Sequence, residues 1–422
     1  MKRVLVWGLG ASGLAALQLL KSKGIEAIGG DDKHKTDWRL LLEEVDTLVL
    51  SPGIPPSHPI WQEAVRKGIE VIGELELAWR FFEGTAIAIT GTDGKSTTTR
   101  LSYLILRSYF SHVEEGGNIG VPFSYLVMKN PKALAVLEVS SFQGKTLKTF
   151  RPHVGAFLNF SEDHLDWHPD LRDYLWSKYN IFSRQTPEDW ILLNGTQKVT
   201  RDTPSPARKV FFGDGCEAHV KEDGAYWSEE KLFSVEDIKL IGKHNLYNAL
   251  VACVIGRIMG VPTDRMKEVL RDFRGLPHRL ELVGDFGGVL VYNDSKSTTP
   301  NALQAALGSM PDGRVILIAG GKDKGASFEH LCPLVTQKVK HAVLIGEAKR
   351  RIADAWKGCT QVSLASSLDE AIRMAQREAK PGDILLFSPA CSSFDMFSNY
   401  EERGETFKKL VREIFETPPH SI

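Results

Sequence analysis

Short apolar runs recur along this chain, each followed by a loop rich in Gly, Ser, Asn or Asp and then by a stretch with helical periodicity. Val4–Trp7, Ala86–Ile89, Leu134–Leu137, Gly155–Leu158, Val289–Tyr292, Val315–Ala319, Ala342–Ile345 and Ile384–Phe387 read as buried strands. Helices are expected at Leu14–Leu20, Ser96–Tyr109, Asp170–Ser183, Asn245–Met259, Thr263–Phe273, Pro300–Leu307, Leu368–Glu378 and Glu405–Phe415. Strands that alternate with helices and are apolar throughout predict an α/β fold with mainly parallel sheets covered on both faces. Three groups emerge: residues 1–83, 84–275 and 276–422, with breaks near Phe82-Glu83-Gly84 and Gly275-Leu276-Pro277. Only Thr196–Asp237 is less regular, and it reads as a small antiparallel excursion.

Composition narrows the picture. At 422 residues, 42% hydrophobic and 25% charged, the chain has the profile of a globular protein too long for one core. A net charge of −1 gives no ground for nucleic acid or an anionic membrane as partner. Lys2, Arg3 and the apolar Val4–Leu20 superficially resemble a signal peptide, but Gly8, Gly10 and Gly13 fit a strand, turn and helix better. The five cysteines are widely spaced with no CxxC pair, so neither a disulfide framework nor a zinc site is expected, and a reducing cytosol fits.

Two glycine loops carry candidate chemistry. Gly8-Leu9-Gly10-Ala11-Ser12-Gly13 stands between strand and helix, where backbone N–H groups can meet a phosphate. Asp31 and Asp32 follow about 20 residues on, where an acid can bind a ribose hydroxyl. A dinucleotide, another nucleotide, and turn glycines without a ligand all remain open for this loop. Gly91-Thr92-Asp93-Gly94-Lys95-Ser96-Thr97 is a shortened P-loop. Its N–H groups can cradle phosphates, Lys95 can neutralise them, and the Ser96 hydroxyl can ligate Mg²⁺, which points to ATP. Glu138 ends a strand beside that loop, where a carboxylate suits Mg²⁺. Asn159–Asp166 gathers acids around His164, and Asn293–Pro300 is dense in Asp, Lys and hydroxyls. On pattern alone Lys178 reads as surface charge.

With these loops in order, the chain resembles the Mur ligase family, and within it the branch that adds D-glutamate. The stretches that carry the resemblance are Ser51–Ile54, Gly91–Thr97, Leu137–Gln143, Asn159–Asp166, Gly242–Asn248, Leu276–Arg279, Asn293–Thr298 and Ser388–Gly404. It implies three domains: an N-terminal Rossmann-like one, a central P-loop one and a C-terminal Rossmann-like one. It also implies that ATP activates the carboxylate of UDP-N-acetylmuramoyl-L-alanine as an acyl phosphate, which the amine of D-glutamate attacks. Such a reaction needs domains that converge to exclude water.

The same resemblance assigns Lys95, Glu138, His164 and Lys178 to catalysis, and Gly91–Thr97, Asn248, Arg279 and Asp294 to ATP. Gly10, Ser12, Asp31, Asp32, Lys33, Ser51, Gly53, Asn118 and His164 fall to the sugar nucleotide, and Lys296, Thr298, Lys324, Ser393 and Tyr400 to D-glutamate. Two Mg²⁺ ions are implied, held by Ser96, Glu138, His164 and a carbamylated Lys178. The implied enzyme is a cytoplasmic monomer of peptidoglycan synthesis. Asp93, Gly144, Met396 and Tyr400 depart from the family pattern; Tyr400, in the amino-acid pocket, bears on specificity. An NAD-dependent oxidoreductase would leave Gly91–Thr97 unexplained. A non-catalytic nucleotide scaffold would not need Glu138, His164 and Lys178. The N-terminal glycine loop disfavours most other ligase branches and folylpolyglutamate synthetases, and the Ser388–Gly404 signature disfavours the L-alanine branch.

Overall fold

The computed structural model describes residues 1–416 except Lys2, Lys35, Thr36, Asp166, Ile241 and Lys324. The chain forms two compact units, one of Met1–Ile238 with Lys243–Asp272, the other of Lys239–Gly242 with Phe273–Ile422.

The first unit contains two sheets. Strands β1 (Arg3–Trp7), β2 (Glu26–Gly30), β3 (Thr47–Leu50) and β4 (Glu70–Gly73) make a parallel sheet in the order β2-β1-β3-β4. The second sheet has nine strands. They are β5 (Thr85–Thr90), β6 (Val113–Gly117), β7 (Leu134–Glu138), β8 (Val154–Phe157), β9 (Trp190–Asn194), β10 (Arg208–Phe212), β11 (Ala218–Lys221), β12 (Gly224–Trp227) and β13 (Glu230–Ser234). Their order is β13-β12-β11-β10-β9-β8-β5-β7-β6, parallel from β6 through β11 and antiparallel between β11, β12 and β13. The irregular region expected at Thr196–Asp237 therefore extends the central sheet, its last three strands forming a meander.

One apolar core runs through both sheets: Val4, Leu19, Val49 and Ile72 from the first share it with Ala86, Leu137, Phe123 and Phe150 from the second. A buried carboxylate reinforces this union. Glu76 accepts hydrogen bonds from the N–H groups of Lys148, Thr149 and Phe150 and from the Thr149 hydroxyl, and pairs with Arg80. Multiple N–H donors are what permit a carboxylate to be buried. Nearby, Glu74 accepts from Ser124 N–H, and burial pushes its carboxyl up to about 7.

The second unit holds one sheet of β14 (Glu281–Phe286), β15 (Val289–Asn293), β16 (Val315–Gly320), β17 (Val339–Ile345), β18 (Gln361–Leu364) and β19 (Ile384–Phe387), ordered β14-β15-β19-β16-β17-β18. Only β14, at the edge, is antiparallel. Apolar clusters lie on both of its faces, as near-continuous apolar strands require. The last helix, Tyr400–Glu416, begins five residues before the expected Glu405.

One expectation about the cysteines is corrected. Cys332 and Cys359, 27 residues apart, form a disulfide. Wide spacing concealed the pair because the intervening helix, strand and helix return the chain to its start. Cys216, Cys253 and Cys391 are free. Closing a loop of this length contributes roughly 3–4 kcal/mol through the unfolded chain. Protein denatured without reductant should therefore titrate with three thiols and with reductant five, and Cys332→Ser should lower the melting temperature. Five thiols without reductant would contradict the cross-link.

Candidate active site

The parallel strands deliver polar side chains at their C-terminal ends, the edge where ligands of open α/β sheets bind. In the central sheet β5 feeds the loop 91–94 into the helix Lys95–Arg107. Gly94 caps that helix at φ 79°, and a Cβ there would lie 2.5 Å from Asn248 Oδ1. Glycine is therefore needed both for backbone conformation and for space. Asn159 braces the loop: its Oδ1 accepts from the N–H groups of Thr92 and Asp93, and its Nδ2 donates to Asp93 O. The Asp93 side chain is exposed, so the extra acid in this loop costs little. Asn248 Oδ1 accepts from the Thr98 hydroxyl, which places Asn248 against the loop's helix.

Ser96 and Glu138 meet as expected. The Ser96 hydroxyl donates to Glu138 Oε2 at 2.7 Å, and Asn118 Nδ2 donates to Glu138 Oε1 at 2.8 Å. Strand register brings this about, since β7 lies between β5 and β6 and puts Gly117 opposite Glu138. A Cβ on Gly117 would stand 2.3 Å from Glu138 O.

Lys178 is not the surface charge that pattern alone suggested. It is only 1% exposed, donates to Gly91 O at 2.8 Å, and lies 4.7 Å from the centroid of the Tyr174 ring. Burial, then the charge of Lys95, pushes its pKa well below the ordinary lysine value. Lys95 also donates to Gly91 O, at 2.8 Å, so two cationic side chains converge on one carbonyl. Tyr174 is a site residue that sequence reasoning missed. Its hydroxyl is 3.1 Å from Thr92 Oγ1, and burial pushes it up to about 12. Its position four residues before Lys178, on the same helix face, was the available signal.

His164 has a left-handed backbone, φ 55°, and stands between Phe142 and Tyr174, with ring centroids at 4.8 and 5.9 Å. It pairs with Asp163 at 3.3 Å rather than with Ser96, Glu138 or Lys178. Asp166, from the same acidic cluster, lies outside the described residues. Among the described residues no three His, Cys, Asp or Glu side chains form a cage. The hard oxygen donors that the structure does bring together are the Ser96 hydroxyl and the Glu138 carboxylate, the kind that Mg²⁺ takes.

At the edge of the first sheet the structure gathers Gly10 and Ser12 after β1, Asp31–Lys33 after β2, and Ser51 and Gly53 after β3. Asp31 accepts from the N–H groups of Leu9 and Lys33, both at 2.8 Å, while Asp32 pairs with His58. Gly13 is required by close approach: a Cβ there would fall 1.9 Å from Gly8 O.

In the second unit the expected residues that are described stand on loops at one edge of the sheet, except Tyr400, which opens the last helix. Asp294 follows β15 and is buried; it accepts from Leu280 N–H and from the Ser388 hydroxyl, and burial pushes it up to about 7. Arg279 is exposed, in a loop whose His278 and Leu280 both have positive φ. Lys296 Nζ lies 5.5 Å from the centroid of the Tyr400 ring. Thr298 is half-buried and Ser393 buried, while Lys324 lies outside the described residues.

Gly94→Ala should lower stability by about 1–2 kcal/mol, the cost of left-handed backbone for a residue with a Cβ. It should also weaken ATP binding at least tenfold by calorimetry. Gly308→Ala, whose methyl meets open space, should leave ATP binding unchanged. Equal ATP affinities for both variants would contradict the assigned role of the loop.

Two family models match, the Mur ligase middle domain over residues 89–256 and the Mur ligase glutamate ligase domain over 278–391. The chain is 58% identical over 410 residues to a UDP-N-acetylmuramoylalanine–D-glutamate ligase of Aquifex aeolicus, covering 97% of this chain and 98% of the relative. A ligase of the same name from Hydrogenobaculum is 49% identical, over 97% and 99%. Among solved structures, the UDP-N-acetylmuramate-alanine ligase MurC of Thermotoga maritima shares the fold at TM-score 0.62 and 16% identity, over 97% of this chain and 99% of that one. MurF of Acinetobacter baumannii does so at TM-score 0.61 and 17% identity, over 91% and 88%. The chain belongs to the Mur ligase family of ATP-dependent amide-forming ligases.

Proposed function

We infer that this enzyme joins D-glutamate to UDP-N-acetylmuramoyl-L-alanine, cleaving ATP to ADP and phosphate, in the synthesis of peptidoglycan precursors. The observation that carries this reading is the match to D-glutamate ligases over 97% of the chain, which spans both nucleotide edges and the loops of the second unit. The reading assigns 1–83 to the sugar nucleotide, 84–275 to ATP and 276–422 to the amino acid.

The chemistry is consistent with the residues. A carboxylate has no leaving group, and phosphorylation by ATP supplies one through positioning and charge neutralisation. The N–H groups of loop 91–94 and the Lys95 ammonium hold the phosphates. The paired Ser96 hydroxyl and Glu138 carboxylate form a hard-oxygen donor set, and Mg²⁺ bound there neutralises phosphate charge. Lys178, its ammonium disfavoured by burial and by Lys95, is suited to carbamylation, which replaces a cation with oxygen donors. His164 completes the second ion's ligands in this reading. Gly10, Ser12, Asp31–Lys33, Ser51 and Gly53 hold the uridine diphosphate end, and Asn118 stands nearer the reacting carboxylate. Asn248, Arg279 and Asp294 serve ATP; Lys296, Thr298, Lys324, Ser393 and Tyr400 hold the amino acid.

Nucleotide substrates suit an enzyme working in the cytoplasm, and in this reading it acts as a monomer; among the described residues no helix is long and apolar enough to cross a membrane.

Phosphate release from Mg²⁺-ATP with UDP-N-acetylmuramoyl-L-alanine, measured with D-glutamate, L-glutamate, D-lysine, L-lysine and L-alanine in turn, tests the reading. D-glutamate should support turnover at least a hundredfold above the others, a ratio within reach of a site built around polar contacts. Preference for another amino acid would overturn the specificity, and no release with any would overturn the reaction.

A further inference from the structure

Arg403 is among the largest fully buried side chains of the second unit, and among the described residues it makes no ion pair with a carboxylate. Its guanidinium instead holds neutral oxygens on two loops. Nε donates to Ser295 Oγ at 3.0 Å, Nη2 to Ser295 O at 2.8 Å, and Nη1 to Cys391 O at 3.0 Å. Its other face lies over the Phe387 ring, 6.0 Å from the centroid. The charge of Asp395 reaches the guanidinium without a direct ion pair; its Oδ2 accepts from Glu347 N–H and its Oδ1 is buried without a hydrogen-bond partner. A buried cation without a counter-ion is expensive to keep.

What it holds together is specific. Ser295 immediately precedes Lys296 and lies three residues before Thr298; its hydroxyl donates in turn to Tyr400 O at 2.8 Å. Cys391 lies two residues before Ser393. The neighbouring Ser392 O accepts from Lys322 N–H at 2.9 Å, which ties in the loop after β16 that leads to Lys324. Gly321 in that loop has no room for a Cβ, which would fall 2.5 Å from Ser392 O. The adjacent helix residue, Gly404, is equally constrained, since its Cβ would lie 2.1 Å from His278 Nδ1. The loops after β15 and β19 thus bond one guanidinium directly, the loop after β16 joins them through Ser392, and Ser295 ties in the start of the last helix; among the described residues these segments carry Lys296, Thr298, Ser393 and Tyr400.

We propose that Arg403 is a positioning and specificity-determining residue of the amino-acid pocket: its fork fixes the loops, and its charge, held without a direct ion pair, favours an amino acid with an acidic side chain. The inference rests on the amino-acid specificity proposed above. Arginine suits both tasks, because its planar donors bridge several acceptors while its charge persists when buried. In a low-dielectric interior that charge acts beyond contact distance on an incoming carboxylate.

The test compares wild type, Arg403→Met and Arg403→Lys by steady-state kinetics, with D-glutamate, its neutral analogue D-glutamine, and ATP each varied. Arg403→Met should raise KM for D-glutamate about ten- to a hundredfold, the loss expected for charge-assisted hydrogen bonds. It should narrow the D-glutamate over D-glutamine preference at least tenfold and leave KM for ATP within about twofold. Arg403→Lys should raise KM for D-glutamate while keeping the preference. A folded Arg403→Met with unchanged KM and preference, or a uniform rise in every KM, overturns the proposal. If Arg403→Met does not fold, Arg403→Lys decides, and an unchanged KM for D-glutamate overturns it. Wild type that turns over a different amino acid instead rejects the proposed specificity and the charge argument with it; the positioning role is then judged by the same KM split on that amino acid.

Discussion

Two lysine ammonium groups donate to a single backbone carbonyl, that of Gly91, and the rest of the candidate site depends on how this concentration of positive charge is accommodated. One of them, Lys178, is buried against the face of Tyr174, whose ring quadrupole offsets part of the desolvation. The other, Lys95, begins the helix 95–107, whose N-terminus adds further positive potential. Such an edge is poised for anions: phosphate oxygens at Lys95, and at Lys178 either a neutral amine or an anionic modification. Glu138 supplies negative charge nearby but spends its two oxygens on Ser96 and Asn118, so it anchors the helix and the loop after β6 to one point.

The same economy recurs elsewhere in the fold. Each sheet presents loops at the C-terminal ends of parallel strands, and in both units buried charged side chains join segments that are far apart in sequence. Glu76 ties the segment 148–150 to the first sheet, Glu138 ties the P-loop helix to β7, and Arg403 ties the loops after β15 and β19 to the last helix. Long polar side chains reach across several loops at once, which short apolar contacts cannot do, and their directional bonds fix geometry where binding demands it.

Much of this was legible in the sequence. Apolar runs located their strands to within one residue, except that the strand expected at Ala342–Ile345 begins at Val339, because a strand buried on both faces has few other compositions. The P-loop and Glu138 were readable from order alone, since a strand followed by a glycine turn and Lys-Ser at a helix start leaves little freedom. Other features were hidden by the absence of any local signal. Lys178 looked exposed because its burial depends on Tyr174 and Gly91, the latter 87 residues away. The last helix appeared to start at Glu405 because Gly404 weakens helical periodicity, yet that glycine sits inside the helix to admit His278. The disulfide between Cys332 and Cys359 escaped for the same reason, as nothing local marks either cysteine. Family resemblance supplied roles for residues that pattern alone left neutral, and geometry supplied Tyr174, Asn159 and Arg403 as their supports.

The central claim is that this charge-rich edge transfers the γ-phosphoryl group of ATP to the substrate carboxylate before the amide forms. UDP-N-acetylmuramoyl-L-alanine labelled with ¹⁸O in its carboxylate tests it most directly, with the released phosphate analysed by mass spectrometry after turnover with D-glutamate. Transfer of one ¹⁸O atom to each phosphate is the predicted result, because the acyl C–O bond breaks when the amine displaces phosphate. Phosphate free of label, at undiminished turnover, would contradict the account.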